Sequence, residues 1–195
     1  MEELLAVTFG YLVGSVPFAF LLARRRGVDL RHVGSGNVGA ANLLRTTGAR
    51  RAWATVGLDA AKGAVAVLVA ERLSAGPATP VAAGLASMIG HVYPVWLRFR
   101  GGKGVATTAG AFAVLTPVAV AIAGAVFVVA IWATRYVSVG SMTAAVTMAA
   151  AAVAIDGLTG VSVGAIVATL IILERHRANL GRLAAGTEWR IGQRI

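Results

Sequence analysis

Apolar residues run almost unbroken from Leu4 to Ala23 and stop at Arg24-Arg25-Arg26. About 20 such residues in an α-helix cross the hydrocarbon core of a bilayer. The pattern recurs at Ala52–Ala70, Val81–Leu97, Val137–Ile155 and Leu158–Leu173. The run from Val105 to Thr134 is too long for one plain crossing, and Pro117 sits near its middle. It predicts a hairpin of two shorter helices, since proline removes a helix hydrogen bond and clashes with the preceding turn. Polar or glycine-rich segments at 24–51, 98–104 and 174–195 alternate with short turns at 71–80 and Asp156-Gly157. The pattern therefore predicts an all-α, polytopic integral membrane protein. It has about seven transmembrane or partly spanning helices in a single domain over residues 1–195. Gly10 and Gly14 make a small-residue packing pair in the first span, and Pro17 is a predicted kink.

Charge orients this arrangement. Fifteen of the 18 Lys and Arg residues fall in three clusters beside apolar spans, at 24–51, 98–103 and 175–194. Lys and Arg concentrate in the loops that stay inside, which predicts the N-terminus outside and the C-terminus inside. Glu2 and Glu3 precede the first span. A cleaved signal peptide carries positive charge there, so the first helix is expected to be retained. The net charge of +10 invites a nucleic-acid reading, but these charges border membrane spans rather than spreading over a soluble face. Only 13% of residues are charged, against roughly 25% in soluble chains. The chain has no cysteine, which excludes disulfides, thiolate zinc sites and cysteine nucleophiles.

Three inside segments carry the chemistry. The first is the glycine-rich stretch from Gly34 to Arg45, the second runs from His91 to Thr107, and the third from Glu174 to Glu188. Gly34, Gly36 and Gly39 spell a dinucleotide fingerprint, yet no buried strand precedes them, so that reading fails. Gly102-Lys103 is followed by Gly104 where a nucleotide-binding loop needs Ser or Thr for magnesium, so that reading fails too. What remains is backbone able to approach an anion closely, with Lys103 as a point charge and Arg45 as a two-pronged donor. Ser35 and Asn37 add neutral donors. His176 and Asn179 share a face if the last helix continues through them. Arg24 to Arg26, Arg50 and Arg51 read as topology signals beside lipid headgroups.

Other residues leave alternatives open. Asp59 and Lys62 lie three apart in a span, where charge is expensive unless paired or functional. His91 is either a hydrogen-bonded structural residue or a catalytic one. Trp96, Phe99 and Trp189 read as interfacial anchors, and Glu188 as the partner of a neighbouring Arg. Neither a carboxylate pair nor a Ser-His-Asp relay is visible, which favours a substrate that brings its own leaving group.

Taken together, the three motifs resemble the bacterial acyl-phosphate-dependent glycerol-3-phosphate acyltransferases, the PlsY family. Gly34-Ser35-Gly36-Asn37-Val38-Gly39-Ala40-Ala41-Asn42 leading to Arg45 is similar to the family's first motif. His91 through Gly101-Gly102-Lys103-Gly104 to Thr107 is similar to the second, and His176-Arg177-Ala178-Asn179 through Glu188 to the third. Ala41 stands where the family often has Thr, and Arg100 where it often has Lys.

The resemblance implies acyl transfer from acyl phosphate to sn-glycerol 3-phosphate, giving lysophosphatidic acid and phosphate. It implies a multi-pass protein of the bacterial inner membrane with its site at the cytoplasmic face, membrane lipid around it, no metal or cofactor, and no obligatory protein partner. It assigns Ser35, Arg45, Lys103, His176 and Asn179 to catalysis. It assigns Gly36, Asn37, Gly39, Asn42, Gly101, Gly102, Gly104 and Thr107 to substrate and phosphate binding. Within this set Lys103 and its glycines hold the glycerol 3-phosphate, Ser35, Asn37 and Arg45 meet the donor or the second phosphate, and His176 and Asn179 orient the acceptor hydroxyl. The second reading is a phosphate or anion transporter, which would be expected to show inverted repeats that this sequence lacks.

Overall fold

The computed structural model describes residues 1–73 and 76–193. Part of the expected outer loop at 71–80, and Arg194 of the third basic cluster, lie outside the described residues. The chain forms two compact units, Met1–Val114 and Leu115–Ile195. The described residues contain α-helices and one 3₁₀ turn but no strand.

In the first unit, α1 (Glu2–Gly14) and α2 (Phe18–Arg24) together fill the first expected span. They are separated at Ser15–Pro17, as Pro17 predicts. Side chains add hydrogen bonds to the backbone there. Ser15 Oγ donates to the Tyr11 carbonyl at 2.8 Å, and Lys62 Nζ reaches across to the Val16 carbonyl at 2.9 Å. Next come α3 (Ala40–Thr47), α4 (Ala49–Leu73), α5 (Ala78–Val92), the 3₁₀ turn Val95–Leu97, and α6 (Val105–Leu115).

Small residues bring these helices into backbone contact. A Cβ added to Gly10 would strike Ala83, and one added to Gly14 would strike Ser87, both on α5. The Gly10–Gly14 pair is therefore the packing face that its spacing predicts. Gly63 of α4 and Gly110 of α6 make a second such contact, facing the Thr107 and Ala60 carbonyls. Gly14→Val forces α1 off α5 and is expected to cost about 1–3 kcal/mol, read as a lowered thermal midpoint in detergent.

The second unit holds α7 (Pro117–Thr134), α8 (Val137–Asp156), α9 (Gly160–Arg175) and α10 (Arg177–Ala184). The long apolar run at 105–134 is thus two helices, with Thr116 between them and Pro117 opening α7. Thr116 Oγ1 donates to Asp156 Oδ2 at 3.2 Å. Only Ala119 and Ala123 of α7 are buried, while Val118, Val128, Val129 and Trp132 are largely exposed. An apolar helix with so little protein cover suits hydrocarbon as its surroundings.

By length and composition, five helical segments of the described chain can cross a membrane: Glu2–Arg24, Ala49–Leu73, Ala78–Leu97, Pro117–Thr134 and Val137–Asp156. One expectation fails. The last helix does not continue through His176, which instead ends α9 and caps α10 with φ −96° and ψ 3°. His176 and Asn179 therefore do not occupy successive turns of one helix.

Candidate functional site

In the first motif the chain leaves α2, turns through Asp29 to Gly39 and enters α3. A small apolar cluster of Ala19, Ala23, Leu30, Val38, Leu43 and Leu97 seats this loop. Asn42 holds its shape. Its Oδ1 accepts from the Ser35 backbone N–H at 3.0 Å, and its Nδ2 donates to the carbonyls of Leu30, Val33 and Asn37. Gly34 has φ +59°, and a Cβ there would strike Asn42 Oδ1, so both conformation and space demand glycine. At the loop's outer side Arg24 and Arg31 lie over the Phe20 ring, and both pair with Asp29. The Arg31 hydrogen bond, aided by the Arg24 charge, holds the Asp29 carboxyl well below the ordinary carboxylate range.

Asn42, which the sequence assigns to substrate, is 2% exposed, and its amide is bonded to the loop backbone, so it also shapes the motif. Ser35 and Gly36 are exposed on the same loop, Asn37 and Gly39 are half-buried, and Arg45 is half-buried on α3.

In the second motif α5 ends at Val92, and Pro94 and the 3₁₀ turn send the chain back on itself. Arg98 and Phe99 take φ of 52° and 60°, conformations rare for residues with a Cβ. The return is fastened by two backbone bonds, Gly101 N–H to the Val92 carbonyl at 3.0 Å and Gly102 N–H to the His91 carbonyl at 3.1 Å. A Cβ on Gly101 would strike the His91 carbonyl, and one on Gly102 would strike the imidazole Nε2. Gly104, with φ +84°, turns the chain into α6 against Met88. The result is a turn of nearly bare backbone on which Lys103, half-buried, is the single long side chain. Thr107 has no exposed surface, and its backbone carbonyl lies in the α4–α6 contact against Gly63.

A small pocket adjoins both motifs within this first unit. Val38 of the first motif and Gly101 and Gly102 of the second line it, with Asp59, Lys62 and His91 in its wall. Asp59 Oδ1 lies 2.8 Å from Lys62 Nζ and 3.5 Å from His91 Nδ1. The open question about Asp59 and Lys62 is answered in part, because the two charges shield each other.

The third motif belongs to the second unit. His176 is 2% exposed, and its Nδ1 lies 2.8 Å from the Ile172 carbonyl. Only a protonated Nδ1 makes that bond, which leaves Nε2 of the neutral ring as an acceptor. Glu188 accepts from Asn179 Nδ2 at 2.6 Å, Ser138 Oγ at 2.9 Å and Arg182 Nε at 2.7 Å. Burial raises its carboxyl pKa, but the three donors outweigh burial and hold the value below the ordinary glutamate range. The expected Glu188–Arg pair is therefore present. Ser138 was not foreseen, since it lies fifty residues from Glu188 in an apolar helix and no spacing links them.

Comparison with known proteins decides what these motifs belong to. A family model described as glycerol-3-phosphate acyltransferase matches residues 4–186.

The chain belongs to the glycerol-3-phosphate acyltransferase family.

Relatives of that name include one from Symbiobacterium thermophilum, 44% identical over 98% of this chain and 96% of its own length. Another, from Geobacter sulfurreducens, is 43% identical over 96% of this chain and 97% of its own. Among solved structures, PlsY (YgiH), an integral membrane glycerol 3-phosphate acyltransferase in its glycerol 3-phosphate form, matches with a TM-score of 0.94. It is 38% identical, over 98% of this chain and 96% of that one. The lysophosphatidic acid form of PlsY matches with a TM-score of 0.91 at 36% identity. The matched span takes in the first two motifs and the third as far as Gly186, and the matches favour acyl transfer over anion transport.

Proposed function

We propose that this chain transfers an acyl group from acyl phosphate to the 1-hydroxyl of sn-glycerol 3-phosphate, giving lysophosphatidic acid and inorganic phosphate at the start of phospholipid synthesis. The observation that carries the reading is the bare glycine turn around Lys103 in a chain of this family. Its backbone lets a phosphate come close, and Lys103 brings a point charge to the same turn.

The chemistry needs little from the protein. An acyl phosphate is a mixed anhydride with a good leaving group. The acceptor hydroxyl oxygen bonds to the acyl carbon, and the carbon–oxygen bond to the donor phosphate breaks. The electron pair leaves with that phosphate, which also takes the hydroxyl proton. Both substrates are anions, so positioning and positive charge dominate the catalysis. Lys103 and Gly101, Gly102 and Gly104 hold the glycerol 3-phosphate. Ser35, Asn37 and Arg45 meet the donor phosphate, with Gly36 and Gly39 giving close backbone. In the third motif, His176, through its acceptor Nε2, and Asn179 are the candidate partners for a hydroxyl group.

The basic clusters support a cytoplasmic-face site in a bacterial inner membrane, where an acyl chain stays in hydrocarbon while its phosphate head reaches the interface. The test is purified protein in lipid with synthetic acyl phosphate and radiolabelled glycerol 3-phosphate. Lysophosphatidic acid should form without ATP, coenzyme A or acyl carrier protein. Activity with acyl-coenzyme A alone would overturn the donor assignment.

A further inference from the structure

We propose that Asp59, Lys62 and His91 form a buried positioning unit that sets the shape of the Gly101–Lys103 turn. The inference rests on the reading of Lys103 as the phosphate cation.

Asp59 and Lys62 are each 3% exposed, and the His91 side chain is 9% exposed. Charged groups inside a membrane span are costly, and burying a pair is by itself poor evidence of stabilisation. What distinguishes this trio is where its ends lead. Lys62 Nζ is held by Asp59 on one side and donates to the Val16 carbonyl on the other, at the break between α1 and α2. Its third neighbour is the Phe18 ring, whose centroid lies 5.6 Å away. Asp59 Oδ1 lies 3.5 Å from His91 Nδ1, so its charge favours that edge of the imidazole turned toward it. The opposite edge of that ring then meets the turn. A Cβ on Gly102 would encounter Nε2, Cε1 and Cδ2 of His91 together. The His91 carbonyl accepts from the same Gly102. Gly102 is therefore gripped by one residue through both backbone and ring, and Lys103 is its immediate neighbour in the chain.

The path runs from the α1–α2 break through Lys62, Asp59 and His91 to Gly102. Each link is a direct contact, and the path joins α4 and α5 to the α1–α2 break and the glycine turn. Apolar residues in place of Asp59 and Lys62 could fill the same space but would offer the imidazole no charge to turn toward. Small displacements of a substrate-positioning group cost up to about 100-fold in rate. The trio acts through Lys103 and does not touch substrate in this scheme.

The experiment is a double-mutant cycle on the purified enzyme, measuring KM for glycerol 3-phosphate, kcat and thermal midpoint for Asp59→Asn, Lys103→Ala and the pair. Asp59→Asn should raise KM between about tenfold and 100-fold. The pair should be little worse than Lys103→Ala alone, because Asp59 acts through the lysine. Full additivity, or a lowered thermal midpoint with KM unchanged, would overturn the proposal. Lys103→Ala with an unchanged KM would instead overturn the phosphate assignment itself, so the two failures are distinct. If Asp59→Asn does not fold, His91 supplies the test. His91→Phe keeps a flat ring beneath Gly102 and should retain a lower KM than His91→Ala. Equal, wild-type KM values in both His91 variants would sink the idea.

Discussion

Lys103→Ala is expected to lower kcat/KM for glycerol 3-phosphate by about 100- to 1,000-fold, the range seen when one preorganised charge donor is removed from a polar site. The reasoning starts from the turn. Gly101 and Gly102 are buried and fastened to Val92 and His91, and Gly104 sits at φ +84°. Gly101, Gly102 and Gly104 carry no side chain, so Lys103 is the one cation of the turn itself. Lys103→Arg should recover only part of the loss. The planar guanidinium is larger than an ammonium and prefers a two-pronged approach that a turn built for a point charge does not offer. Steady-state kinetics with each substrate varied separately checks both outcomes. A loss confined to the acyl phosphate KM would move Lys103 to the donor.

The second large effect falls on stability. Glu188→Ala is expected to cost about 2–4 kcal/mol, because it removes the buried carboxylate that accepts from the Asn179 amide and the Ser138 hydroxyl and pairs with Arg182. The same group predicts a pH dependence. Its folded pKa lies below the unfolded value, so the folded protein is favoured by the ionised carboxylate. That contribution is fully present above the unfolded glutamate pKa, about 4.3, and fades as pH falls through the folded one. Thermal midpoints of the wild type should thus drop in the acid range more steeply than those of Glu188→Gln, which has no charge to lose. Parallel curves for the two proteins would show that Glu188 does not govern the acid limb.

The sequence reveals the spans because hydrocarbon demands long apolar helices, and that demand leaves a plain mark on composition. Pro17 and Pro117 likewise announce the breaks they cause. Motif positions whose role rests on backbone, such as Gly34 and Gly102, are legible for a related reason, since only glycine fits there. Asn42 and Thr107 are different. A polar residue inside a binding motif looks the same in sequence whether it faces a ligand or braces the loop, and only burial and hydrogen-bond partners separate the two. The helix break at His176 carries no proline or glycine to announce it. Nor could spacing join Lys62 to Val16 or Ser138 to Glu188, since those contacts depend on how the helices pack.

α7 has a consequence of its own. At 18 residues it is about 27 Å long, by the 1.5 Å rise of a helix, slightly less than a typical hydrocarbon core of about 30 Å. Few of its side chains are clasped by protein, so the bilayer must adapt to it or it must adapt to the bilayer. Acyl-chain length in the surrounding lipid thereby becomes a mechanical input to the second unit. The membrane that this family's chemistry helps to build would set the tension on one of its own helices.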